Sequence, residues 1–185
     1  MKIIGLVGNN ADFSYNRLLL QFMSSHFTTD VDIEVAEIKD LPMFNESTAQ
    51  PTPTCVTTLA AKIAAADGVI IATPEYDHSI PASLKNCLEW LSYAAHPFTD
   101  KPVMVVGVSL GQQGTSFAQT QLREILNSPG LNAHVLSGNQ FMMGFAKKQF
   151  DQNGQLTDDR TLDFLTQCFQ TFQQFVQAHR LMTVE

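Results

Sequence analysis

The run Ile70-Ile71-Ala72-Thr73-Pro74-Glu75-Tyr76-Asp77-His78-Ser79-Ile80-Pro81 constrains the fold more than any other. A β-branched apolar segment stops at a proline, crosses a short polar and aromatic loop, and restarts as a helix with a second proline in its first turn. A strand buried on both faces reads as a continuous apolar run. Proline suits a helix start because the N–H it lacks would have no intrahelical partner there. The segment therefore predicts a βα junction at the crest of a parallel strand. In open α/β sheets ligands bind in the crevice outside such crests, so a site is expected here before its chemistry is known.

The rest of the chain supplies four more units of the same kind. Residues 1–7 form an apolar run closed by Gly8, and 15–27 places Leu18, Leu19, Phe22 and Met23 at helical spacing behind a capping Ser14. Residues 31–38 alternate strictly, as a strand at the sheet edge should. The stretch 39–53, with three prolines and no periodicity, predicts a long surface loop. Helices are expected at 54–66, 80–95, 115–126 and 157–179, strands at 68–73 and 102–108, and a weaker fifth strand at 131–136. Residues 138–154, containing Asn153-Gly154, read as a loop or small hairpin. Five consecutive βα units predict a parallel sheet between two helical layers, in the flavodoxin-like strand order 2-1-3-4-5.

At 185 residues the chain fits a single domain spanning 1–185. Acidic residues outnumber basic ones 18 to 11 and the cations are scattered, which excludes the basic stripe that nucleic acid requires and disfavours anionic membranes. No apolar run reaches the ~18 residues of a membrane span, and no secretory leader is evident. Cys55, Cys87 and Cys168 are widely spaced and form no Cys-x-x-Cys pair, so reduced, mostly buried thiols and a cytoplasmic setting are expected.

The predicted topology gathers three loops, 8–16, 74–79 and 109–115, over the crest of strands one, three and four. The first joins a strand to a helix N-terminus, whose free amides and dipole favour a phosphate. It matches neither the Gly-x-x-x-x-Gly-Lys nor the Gly-x-Gly-x-x-Gly pattern. No Ser-His-Asp order, paired carboxylates or metal-ligating cluster emerges, and His26, His78, His96, His134 and His179 are isolated. No catalytic side chain and no metal are expected.

Several motifs together resemble the NADPH-dependent FMN reductase family, a flavodoxin-like group that includes azo-, quinone and chromate reductases. They are Gly8 with Ser14-x-Asn16, Leu41-Pro42-Met43-Phe44, Thr73-Pro74-Glu75-Tyr76 through Ser79-Ile80-Pro81 and Leu84-Lys85-Asn86, and Ser109-x-Gly111 through Ala118-Gln119 and Leu122-Arg123. The resemblance implies FMN as cofactor and NAD(P)H as co-substrate. It sets the FMN phosphate on Ser14, Tyr15 and Asn16. It sets the isoalloxazine against Pro74, Glu75, Tyr76, Asp77 and His78, with ring contacts from the Glu75 and Tyr76 amides and Tyr76 also walling the nicotinamide pocket. Ser109, Gly111 and Gly114 would close the other edge. Two departures stand out. Asn9-Asn10-Ala11 lacks the Ser-x-Arg usual after the glycine, and Asp77-His78 replaces a common Asn-Gly.

The function so implied is hydride transfer from NAD(P)H through FMN to a quinone, azo compound, flavin or similar small-molecule acceptor. A carrier passing electrons from FMN to protein partners is the alternative, and a flavin-binding regulatory protein a third. The resemblance further implies a homodimer or homotetramer. Trp90, at the edge of its helix's apolar stripe, reads either as an interface anchor or as core.

Overall fold

The computed structural model describes residues 1–138 and 140–182. Its strands are β1 (Lys2–Val7), β2 (Asp32–Ala36), β3 (Gly68–Ala72), β4 (Pro102–Val108), β5 (His134–Val135) and β6 (Phe141–Met143). The helices are α1 (Tyr15–His26), α2 (Thr54–Ala65), α3 (Ala82–Ala94), α4 (Ser116–Leu126), α5 (Ala146–Gln149) and α6 (Asp159–Met182). The sheet runs β2-β1-β3-β4-β5 and every pairing is parallel. This is the flavodoxin-like order expected from the five βα units.

The fifth position of the sheet differs from expectation. It is filled by two short strands rather than by one at 131–136. β5 pairs only with Pro102 and Val103, whereas β6 pairs with Val106, Gly107 and Val108. The chain leaves the sheet around Gly138, at φ 81°, and returns with Phe141 and Met143 buried and Met142 outward. Three residues carry too little alternation to stand out beside the surrounding glycines, so β6 lies inside the stretch read as loop. A small antiparallel bridge, Phe150 to Leu156, does flank the Asn153-Gly154 turn.

Alternation along each strand divides the core into two layers. Ile4, Leu6, Val69, Ile71, Val103 and Val105 face α2, α3 and α4 through Ile63, Leu88 and Leu122. Ile3, Val7, Ile70, Met104 and Val106 face α1 and α6 through Leu20, Met23, Phe169 and Phe172. Each fully buried Leu, Ile or Phe contributes about 1.5–3 kcal/mol relative to exposure, which makes this three-layer sandwich a rigid base for its loops. Cys87 and Cys168 lie in these layers, and burial pushes their thiols up to about 12 and about 11. Cys55 is exposed.

The long loop before α2 is pinned from α3. Trp90 Nε1 and Asn86 Nδ2 both donate to the Pro42 carbonyl, at 2.7 and 3.0 Å, and Asn86 Oδ1 accepts from Phe44 N at 2.6 Å. Phe44 meets the indole edge-on, with ring centroids 5.0 Å apart. Trp90 is only 3% exposed. Of its two readings, core is the one the fold selects: the indole is a strut for the loop and has no free face for a partner.

Candidate functional site

A cavity of about 410 Å³ opens at the crest where the loops after β1, β3 and β4 converge. Its walls come from residues 9 and 13–16, from 74–76, and from 108–111. The volume lies within the ~300–1,000 Å³ range of small-molecule pockets. Ser14, Tyr15, Asn16, Pro74, Glu75, Tyr76, Ser109 and Gly111 are brought together in this lining. Asp77, His78 and Gly114 lie on the same loops but outside it.

The floor depends on one close backbone approach. Gly8 N donates to Ala72 O at 2.8 Å, and a Cβ at position 8 would sit 2.5 Å from that oxygen. Only glycine lets the ends of β1 and β3 meet so closely. Beyond it α1 begins with Ser14 at the N-cap, its hydroxyl accepting from Arg17 N at 3.3 Å and its carbonyl from Leu18 N. In the first turn of a helix the leading amides have no intrahelical acceptor, which leaves the Tyr15 and Asn16 N–H groups for an external anion.

The nominated polar side chains are largely engaged by the protein itself. Asn16, 2% exposed, forms a two-way pair with the β4 backbone: Nδ2 donates to Val108 O at 3.0 Å and Oδ1 accepts from Val108 N at 2.9 Å. Ser109 Oγ donates to Gly111 O and accepts from Gly114 N, at 3.0 and 3.1 Å. Gly114 closes that turn at φ 60°, where a Cβ would meet Met142 carbon at 2.6 Å. Tyr15 packs among aromatics, edge-on to Phe13 and stacked on Phe150.

The loop after β3 is bolted to α4. Thr115, at the α4 N-cap, has φ 69° and makes no side-chain cap. The capping group comes instead from Glu75, whose Oε2 accepts from Phe117 N at 2.9 Å and Ala118 N at 3.1 Å. In return Gln121 Oε1 accepts from Ser79 Oγ at 2.6 Å and Ile80 N at 3.0 Å. Tyr76 and Ser79 exchange two backbone hydrogen bonds around a two-residue turn. The Tyr76 amide, expected to face a ligand, is therefore engaged within the turn, while its ring is half exposed. At the tip, Asp77 and His78 both hold positive φ, 51° and 61°, and the imidazole stacks on Phe117 with centroids 4.5 Å apart.

Sequence reasoning missed Asn9, Phe13, Val108 and Leu110 as lining residues. Asn9 is the informative one: it is 3% exposed, and among the described residues its Oδ1 has no hydrogen-bond partner. A buried amide oxygen left so costs about 1–3 kcal/mol, which a ligand donor would relieve. The readable signal was a polar residue directly after the apolar strand and its glycine. Phe13 and Leu110 of the lining are exposed, as are Phe117 and Phe145, whose amides donate to the lining residues Glu75 and Gly111, an apolar rim suited to planar, weakly hydrated partners.

Comparison with known proteins places this geometry in context. A family model described as NADPH-dependent FMN reductase matches residues 1–148. The NADH:(hydroxy)cinnamate reductase subunit of Vibrio ruber is 48% identical over 177 residues, covering 96% of this chain and 88% of that protein. NADH-dependent flavin reductase subunit 2 of Lactobacillus johnsonii is 48% identical over 182 residues, covering 96% and 98%. Among solved structures, a flavoenzyme NAD(P)H:(acceptor) oxidoreductase from Paracoccus denitrificans aligns with a TM-score of 0.87 at 25% identity, over 96% of this chain and 98% of that one.

Proposed function

Because the chain belongs to the NADPH-dependent FMN reductase family, we propose that the crest cavity is its FMN site and that reduction by NAD(P)H takes place there. The protein is an FMN-dependent NAD(P)H oxidoreductase. When bound, FMN supplies the chemistry the side chains lack, accepting two electrons as hydride and releasing them to an acceptor. The protein binds, orients and keeps water away.

The residues of the cavity fit such a group. The Tyr15 and Asn16 amides at the α1 N-terminus would hold the phosphate. Asn9, with its unpartnered buried oxygen, would accept a hydrogen bond from the cofactor. Asn16 and Glu75 would act at one remove, Asn16 by fixing α1 to β4 and Glu75 by fixing the β3 loop to α4. Pro74, Tyr76 and Leu110 supply apolar walls that exclude water. The observation that carries this reading is the convergence of a helix N-terminus, an unpartnered buried amide oxygen and apolar walls in one cavity.

Free cysteines and the use of NAD(P)H fit a cytoplasmic setting, and the apolar rim fits a homodimer or homotetramer that covers it. The test is an absorption spectrum of the purified protein reconstituted with FMN, before and after anaerobic NADPH or NADH. Stoichiometric flavin, bleached by one equivalent of nicotinamide and re-oxidised by a quinone, is expected. Failure to retain FMN would overturn the assignment of the cavity. A second reading is favoured by the names of the two relatives at 48% identity, each called a subunit: this chain would pass its electrons to a partner protein. Reduction by NADH without turnover of any small acceptor would favour that reading.

A further inference from the structure

The turn at Asp77-His78 is unusual in what it gives up. A two-residue hairpin loop with positive φ at both central positions is a type I′ turn, for which Asn-Gly is the preferred pair. Here both positions carry side chains, at φ 51° and 61°. Strain of this kind persists only where the surroundings enforce it, and it clusters at functional sites. Burial does not enforce it, because Asp77 and His78 are both exposed. What the strain secures is the position of one ring. The His78 imidazole lies almost parallel to Phe117, 4.5 Å away with 19° between the planes. Phe117 is held in turn, since its own amide donates to Glu75, a wall of the cavity. The outcome is a two-ring platform, fixed through Glu75 and Gln121, just outside the lining and tied to it by the Phe117 amide on Glu75 and by Asp77, the one residue between His78 and Tyr76.

We propose that His78 and Phe117 are specificity-determining residues that form a lateral aromatic wall of the acceptor cleft, selecting acceptors with a second fused or conjugated ring beyond the group reduced. The proposal rests on the reading that reduction takes place in the crest cavity. On this proposal a single-ring quinone is reduced without extending past the cavity lining, whereas a two-ring acceptor reaches beyond it and sets its distal ring against the platform. Stacking of this kind adds to affinity beyond simple area burial. The strained turn is thus retained for selectivity at the expense of stability.

The test compares 1,4-naphthoquinone with 1,4-benzoquinone in the FMN-loaded protein, for wild type, His78→Gly and Phe117→Leu. The measured quantity is the ratio of the two kcat/KM values, so that any general change in flavin content or NADH handling cancels. In both variants the ratio is expected to fall about tenfold. His78→Gly relieves the turn, and its Tm is expected to rise by about 2–4 °C. A ratio unchanged within twofold in either variant overturns the platform, and a lower Tm in His78→Gly overturns the strain argument. If no protein in the series were reduced by NADH, the failure would lie with the cavity assignment and be visible as such.

Discussion

At the scale of single residues, the site owes its geometry to side chains that hold backbone rather than ligand. Asn16 illustrates this. Its amide satisfies both the N–H and the C=O of Val108, and thereby sets the distance between the α1 N-terminus and the β4 crest. Removing it leaves two buried backbone groups unpaired, each worth about 1–3 kcal/mol. Asn16→Ala is expected to lower stability by about 2–4 kcal/mol and to weaken FMN binding at least tenfold, measured by denaturant unfolding and by fluorescence titration of FMN. Tight FMN binding in a destabilised Asn16→Ala protein would show that the cavity does not depend on this tie. The residue type and its place near a helix start were readable in the chain. Its partner, 92 residues away, was not.

Among the elements, α4 shows how a helix can lack its own cap and be completed by a distant loop. Thr115 takes a left-handed conformation that turns its hydroxyl away from the capping role, and Glu75 from the β3 crest replaces it. A carboxylate there satisfies two amides and opposes the positive end of the helix dipole. Loss of a helix cap costs about 0.5–2 kcal/mol. Glu75→Ala is therefore expected to lower Tm by about 2–6 °C, with Glu75→Gln intermediate because it keeps an acceptor oxygen. If Glu75→Ala melted with the wild type, the cap would carry no weight. The strands β1, β3 and β4 were legible to within a residue or so, because apolar runs bounded by glycine or proline admit few alternatives. β6 was not, since three residues define no period.

Across the whole molecule, the end of the sheet opposite the site is closed by Asp67. Its carboxylate accepts from Lys2 N at 2.6 Å and pairs with Arg180 of α6, joining the start of β3 to β1 and to the C-terminal helix. Burial alone would push this carboxyl up, but the hydrogen bonds from Arg180 and from the Lys2 amide outweigh it and hold the group below its ordinary 3.8. A group with a lowered pKa in the folded state contributes stability that is complete above its unfolded value and is lost as pH falls through the folded one. Asp67→Asn is accordingly expected to melt below wild type at pH 7, and the gap between the two to close as pH falls below about 4. Melting curves followed by circular dichroism from pH 7 to 3 measure this. A gap that stays constant would show that Asp67 acts through packing and not through its charge.

The sequence by itself determined the succession of strands and helices from β1 to α4, the long closing helix, the parallel order of the sheet and the three loops that meet at its crest. Those follow from hydrophobic period and from where proline and glycine interrupt it, which are local properties of the chain. Only the tertiary structure decided that Trp90 braces a loop, that Glu75 caps a helix 42 residues onward, and that Asn9 is left buried with an oxygen to offer. Hydrogen-bond partnership depends on which groups are brought within about 3 Å of one another, and that proximity exists only once the layers have packed.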